Sequence, residues 1–218
     1  MYKNKKSRRN TITPKNSTMK PKLLQQGAEA KIYLNKNIIL KSRTRKTYRH
    51  PDLDLKLRTR RTKSEAKILQ KAHNLKINVP KLIHADKFNL EIEFIISDRL
   101  SQSLNSYPEK KQLTVMQKVG RQIAKLHKHD IIHADLTTSN TILSGKKLFL
   151  IDFGLSYIST KTEDKAVDLH LMKQSIQAKH FQNAKKLFTS FCQGYKWQDS
   201  KKILEQLVIV EKRGRYKH

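Results

Sequence analysis

Apolar positions along this chain change from short alternating runs to helical stripes, return to alternation, and then stay helical. Over residues 23–40, "QQGAEA" follows Leu23 and Leu24 and is followed by the apolar segments "KIYL" and "NIIL", which predicts strand, turn, strand, strand. Between 52 and 74, Leu53, Leu57, Ala66, Ile68, Leu69 and Ala72 fall mainly at helical spacing, predicting one helix or two in succession. In "VPKLIHADKFNLEIEFI" the strand formers Val79, Leu82, Leu90, Ile92, Phe94 and Ile95 predict two more strands, and Pro80 blocks a helix interior. Leu113, Met116, Gly120, Ile123, Ala124 and Leu126 make a helical stripe ending near His127. After it, "TIL" and "LFLID" predict a small hairpin turning through Ser144-Gly145. Three helical patterns follow, around Val167, Leu171 and Ile176, then Leu187 to Phe191, then Ile203 to Val210. No internal repeat interrupts this order. Strands first and helices afterwards indicate an α+β fold with two lobes.

Charge changes that picture more than length does. The 218 residues suit one ordinary domain or two small ones, but 47 Lys+Arg against 18 Asp+Glu give a formal net charge of +29. Self-repulsion on that scale is explained most simply by a polyanionic partner, nucleic acid first, with a lysine-rich solvated surface as the alternative. Residues 1–22 carry eight Lys or Arg and no acid, and read as a basic, disordered arm. Its "KNKKSRR" reads equally as a nuclear address. One cysteine, Cys192, makes no intramolecular disulfide and has no activating motif beside it, so a buried structural thiol is expected. No apolar run approaches the ~18–20 residues of a membrane span, and an intracellular, soluble protein in the cytoplasm or nucleus is expected.

Against this basic background, "IIHADLTTSNTILSGKKLFLIDFG" gathers Asp135, Asn140 and Asp152 within residues 131–154. An Asp on a loop after a helix, an Asn five residues on, and an Asp-Phe-Gly at a strand end follow the protein-kinase pattern. In it the first Asp meets the nucleophile's proton, and the Asn and second Asp hold magnesium. Mg²⁺ prefers hard oxygen ligands, so two such side chains hold it against a triphosphate without a full protein cage. Opposite charges about 4 Å apart are worth about 4 kcal/mol at an effective dielectric near 20, enough to justify gathering scarce acids here.

The other kinase parts occur in order. Lys41 ends the apolar run "NIILK", where a lysine contacting the α- and β-phosphates belongs, and Glu65 in "SEAKIL" is its expected ion partner. In place of a G-x-G-x-x-G loop the chain has "QGAEA", so Gly27, Ala28 and neighbouring backbone N–H groups are left to cover the phosphates. His133-Ala134-Asp135 replaces His-Arg-Asp, which removes the usual dock for a phosphorylated activation loop. "DFGLSYISTKTEDKAVDL" then reaches a new helix within about ten residues, with no A-P-E, so regulation through that loop is not expected. His127, His129 and His133 suggest zinc only weakly, since no convincing fourth ligand accompanies them. Phe191, Tyr195 and Trp197 are expected to complete a helical core rather than stack on bases.

Taken together, "QGAEA", "KSRTRKTYRHPDLDLKLRTRRTKSEAKIL", "VPKLIHAD", "HADLTTSN", "LFLIDFGLS", "EDKAVDLHLM" and "KRGRYKH" closely resemble the small RIO-like kinase/ATPase of the KEOPS (EKC) complex, the PRPK family. The resemblance covers roughly residues 24–216, and Ala134 stands where it leads one to expect Gly. It implies a protein-kinase-like two-lobed fold: a small β-rich N-lobe over 23–97, a truncated helical C-lobe over 98–210 and a basic tail over 211–218. It also implies ATP and Mg²⁺ as cofactors and a role in forming threonylcarbamoyladenosine at position 37 of tRNAs. Implied partners are a threonylcarbamoyl-transferase subunit of the Kae/OSGEP type, a Cgi-type small subunit, and tRNA. Arg213, Gly214 and Arg215 match the segment that reaches toward the transferase. The residues alone leave two alternatives open: a free-standing RIO-type protein Ser/Thr kinase, and a non-enzymatic basic tRNA-binding scaffold. Ten Lys or Arg against two Asp over residues 41–63, the arm, and four more cations over 212–217 favour phosphate contacts weakened by salt.

Overall fold

A computed structural model describes residues 21–27 and 29–215, with the backbone alone at 214 and 215. Residues 1–20 of the arm expected over 1–22, Ala28 and residues 216–218 lie outside the described residues, and Lys22, the last residue of that expected arm, already begins a strand.

The first half is an antiparallel sheet of β1 (Lys22–Gln26), β2 (Lys31–Asn35), β3 (Ile38–Ser42), β4 (Leu82–Ala85) and β5 (Asn89–Glu93), in the order β1-β2-β3-β5-β4. A two-residue turn closes β2 onto β3, with Lys36 in the left-handed region at φ 54°. Asp86 turns β4 into β5 by accepting the backbone N–H groups of Phe88 and Asn89, each at 2.7 Å. Between β3 and β4 runs α1 (Pro51–Asn74), a single helix rather than two. Its start and stop follow from chemistry: Pro51 opens it, Asp52 and Asp54 sit at the positive end of the dipole, and Lys71 and His73 at the negative end.

The inward face of α1 departs from the apolar reading in its first half. Asp54, Thr62 and Glu65 are buried ahead of Ile68, Leu69 and Ala72, while Leu53 is 52% exposed. Asp54 tolerates burial because it accepts from Arg58 Nε at 2.6 Å and from the Lys46 N–H at 3.0 Å. Together these partners outweigh its desolvation and hold its carboxyl below the ordinary value.

The second half holds α2 (Leu100–Ser103), α3 (Glu109–Lys128), β6 (Ile131–Ile132), β7 (Thr141–Ser144), β8 (Lys147–Leu150), β9 (Tyr157–Ile158), α4 (Thr162–Lys179), α5 (Ala184–Gly194) and α6 (Ser200–Arg215). The β7–β8 hairpin pairs Ser144 with Lys147, so its turn is Gly145-Lys146, one residue beyond the expected one, with Gly145 at φ 57°. In α4 the buried apolar residues are Ala166, Leu169, Met172 and Ile176, with Lys165 and Asp168 buried beside them, and Val167 faces solvent. Helices α3 and α5 cross through two glycines: a Cβ on Gly120 would lie 2.1 Å from the Phe191 carbonyl oxygen, and one on Gly194 2.1 Å from that of Gln117.

One core runs through both halves, from Ile68 and Leu69 of α1 through Met116 and Ile123 of α3 to Phe191 of α5 and Leu207 of α6. Each such large side chain contributes about 1.5–3 kcal/mol on burial. Phe191 and Tyr195 lie within this core and Trp197 packs against it, as expected. Cys192 is partly buried, which pushes its thiol up to about 11. Helix α6 does not stop at 210, where a separate tail was expected to start. It continues through Glu211, which takes Lys173 Nζ of α4 at 2.7 and 2.8 Å.

Candidate active site

Strand β3 lies between β2 and β5, and Lys41 near its end is 9% exposed. Its Nζ donates to Glu65 Oε1 of α1 at 2.8 Å and to Asp152 Oδ1, 111 residues along the chain, at 2.6 Å. Two residues after Lys41, on the same face by strand periodicity, Arg43 donates to the other Glu65 oxygen at 2.5 Å. Glu65, only 2% exposed, thus keeps its charge against two cations, as a buried carboxylate must. For Lys41, burial works to lower the ammonium pKa, but Glu65 and Asp152 outweigh it and hold it above the ordinary value. For Asp152, burial works upward and the Lys41 ammonium overrides it, leaving the carboxyl below the ordinary value.

Asp135 belongs to a loop whose backbone is held from α4. Ala134 adopts φ 63°, a left-handed conformation that costs a residue with a Cβ about 1–2 kcal/mol. Asp168 secures it: Oδ1 accepts the Ala134 N–H at 2.8 Å and Oδ2 the His133 N–H at 2.6 Å. His127 Nε2 donates to the same Oδ2 at 3.3 Å, and its Nδ1 accepts from the Tyr195 hydroxyl at 2.8 Å. Its ring therefore serves the helical core. His133 Nε2 donates to the Ile151 carbonyl at 3.0 Å, and Ser156 donates to the His133 carbonyl at 2.9 Å, which binds the Asp135 loop to the Asp152 segment.

Asn140 Nδ2 donates to Asp135 Oδ2 at 2.8 Å and to the Asp135 carbonyl at 2.9 Å, while its own Oδ1 has no hydrogen bond among the described residues. Thr138, in the same 3₁₀ turn, is held at its N–H by Ser175 at 2.9 Å, and His180 links its hydroxyl to Asn105.

Lys41, Glu65, Asp135 and Asp152 line one cavity of about 800 Å³ between the sheet and the helical half. Its apolar walls include Ile32, Ile39, Ile92 and Ile142. Gly27 also lines it, but its N–H is donated to the Ala30 carbonyl at 3.0 Å and is not open toward a phosphate. That loop is held from the side, since Glu29 pairs with Arg61 of α1 at 2.5 Å and with Arg49 at 3.4 Å. Arg43, the Glu29–Arg61 pair and Asp168 escaped the sequence reading. Asp168 stands inside "EDKAVDLHLM", and its signal was an acid among the apolar positions of the helix that follows the Asp-Phe-Gly, one turn beyond Asp164.

Residues 21–189 match the family model described as RIO domain. The chain belongs to the RIO-type atypical kinase family. Within it, the chain is 41% identical over 212 residues to "KEOPS complex subunit Bud32" of Pyrococcus abyssi, covering 90% of this chain and 96% of that one. It is 40% identical over 205 residues to "Probable bifunctional tRNA threonylcarbamoyladenosine biosynthesis protein" of Methanobrevibacter smithii, covering 90% of this chain but 37% of that longer protein. Among solved structures, the Rio2 kinase-ADP/Mg²⁺-phosphoaspartate complex from Chaetomium thermophilum superposes with a TM-score of 0.60 at 14% identity, covering 89% of this chain and 70% of that one. A RIO-type kinase fold accounts for the sheet, α1 and the shortened helical half in their observed order.

Proposed function

We propose that this chain is an Mg-ATP-dependent atypical Ser/Thr kinase or ATPase that supports threonylcarbamoyladenosine formation on tRNA as a subunit of a KEOPS-type complex. One observation carries the reading: Lys41 Nζ joins Glu65 and Asp152 at the polar end of a cavity that Asp135 also enters. The cavity's volume lies within the ~300–1,000 Å³ of small-molecule sites, and its apolar walls suit a flat base.

The residues present fit magnesium by donor chemistry. Asp152 has a half-exposed carboxylate whose Oδ2 has no hydrogen bond among the described residues, and Asn140 offers Oδ1, both hard oxygens. Asn140 and Asp152 would hold the ion, which when bound neutralises charge on the phosphate oxygens. Lys41 binds phosphate oxygens, and Glu65, steadied by Arg43, orients Lys41. Asp135 takes the proton of the attacking water or hydroxyl, positioned by its Asn140 hydrogen bond. Gly27, next to the Glu29 clip, borders the phosphates; Ala28, the other residue proposed for this role, lies outside the described residues.

The proposed partners are a transferase subunit of the Kae/OSGEP type, a Cgi-type small subunit, and tRNA. Support comes from the names of the two relatives and from the net charge of +29. Arg213, Gly214 and Arg215, at the end of α6, are the proposed contact toward the transferase. Reconstitution with a transferase subunit and tRNA tests the whole reading: the wild-type chain should raise modification and Asp152→Ala should not. A chain that phosphorylates a protein as a lone monomer, and leaves modification unchanged, contradicts it.

A further inference from the structure

Helix α1 presents two opposite chemistries. Its inner face buries Glu65, while Lys56, Arg60, Lys63, Lys67 and Lys71 are all exposed. At 100° per residue these five fall within an arc of about 80°, making one straight row about 22 Å long. Beyond Asp52 the exposed surface of α1 holds no acid. Nearby acids are already taken: Glu29 by Arg49 and Arg61, Asp54 by Arg58, Glu65 by Lys41 and Arg43. None of the five cations has an acidic partner among the described residues.

We propose that this outer face of α1 is a surface that holds an RNA phosphate backbone. A row of ~22 Å is long enough to face several successive phosphates of one strand, so a line of cations meets a line of anions. Protein interfaces place aromatic and apolar residues at their centre and deplete lysine there, whereas this row has Ser64 and Gln70 beside it and the exposed Leu53 only at its N-terminal end. An amphipathic membrane contact is unavailable, because the apolar face of α1 is already spent on the core. The row reads no bases, and its affinity comes from counterion release. The identity of the RNA as tRNA rests on the function proposed above.

The test is tRNA binding by the full chain across a salt series, with melting temperature and ATP turnover measured in parallel. One variant carries Lys56→Gln, Arg60→Gln, Lys63→Gln and Lys67→Gln. A charge-matched control carries Lys110→Gln, Lys125→Gln, Lys201→Gln and Lys202→Gln. The ridge variant should bind at least about tenfold more weakly, with a salt slope shallower by about 3, at roughly 0.7–0.9 per lost phosphate contact. The control should stay near wild type, and both should turn over ATP normally. Unchanged binding by the ridge variant, or equal losses in both, overturns the assignment while leaving the proposed function standing. Polyglutamate that displaces tRNA at equal charge concentration also overturns it, in favour of an acidic protein partner. A wild-type chain that binds no tRNA overturns the tRNA reading itself.

Discussion

Asp168 of α4 fixes the left-handed backbone of Ala134, 34 residues earlier, through an N–H···Oδ1 hydrogen bond of 2.8 Å. The same carboxylate takes the His133 N–H and the His127 ring. Asp168→Ala leaves these buried donors unsatisfied, and urea unfolding should show a loss of about 3 kcal/mol or more. Asp168→Asn, which keeps one acceptor oxygen, should lose less.

Ala134→Gly should stabilise by 0 to about 1 kcal/mol, because relief of left-handed strain exceeds the added entropy of an unfolded glycine. Ala134→Val should destabilise by more than about 1 kcal/mol, since a β-branched residue is worse still at φ 63°. The same unfolding experiment reads both variants.

Glu65 is shared by Lys41 and Arg43, so its removal strands two buried cations. Glu65→Ala should cost about 3–5 kcal/mol, whereas Lys41→Met should cost less because Glu65 keeps Arg43. Equal losses in the two variants would contradict this division.

Stability should fall with acid through His127. Burial holds its imidazole below the ordinary value of 6.5, so below that pH the unfolded chain binds a proton that the folded chain resists. Its contribution is present above 6.5 and lost as pH drops, by up to about 1.4 kcal/mol per unit. Asp152 has the same sign at lower pH: its contribution is present above 3.8 and lost as pH falls through its depressed folded value. Between pH 7.5 and 5.5, His127→Asn should lose less stability than wild type, although it starts lower.

The residues that were legible in the sequence are those whose type and order carry the chemistry. Lys41, Glu65, Asp135 and Asp152 stand at intervals that a strand, a helix and two loops translate into the lining of one cavity, while Asn140 reaches it only through its hydrogen bonds to Asp135. The five strands around α1 were legible because alternation and turn residues act over a few positions. What stayed hidden depends on distant partners. Nothing near Arg43 marks it as the second cation on Glu65, and nothing near Asp168 reveals the backbone it supports. Gly27 is a local exception: its N–H is taken by Ala30 three residues on, which a motif alone does not disclose. On α1, Leu53 suited an apolar stripe, yet Asp54 occupies the inner face because Arg58 and the Lys46 N–H complete its hydrogen bonds.

The close crossing of α3 and α5 makes another test. Gly120→Ala and Gly194→Ala each push a Cβ into backbone and should cost about 1–3 kcal/mol or more. At Gly145, where an added Cβ meets nothing within 4 Å, alanine should cost only the left-handed strain of about 1 kcal/mol.

The central claim, that Lys41 and Asp152 meet in a nucleotide site, is tested most directly by magnesium-dependent ATP turnover of Asp152→Asn beside wild type. The expected result is a folded variant, with an unchanged far-ultraviolet spectrum, that has lost turnover by at least about 100-fold, a loss of nearly 3 kcal/mol in transition-state stabilisation. Undiminished turnover by that folded variant would contradict the account.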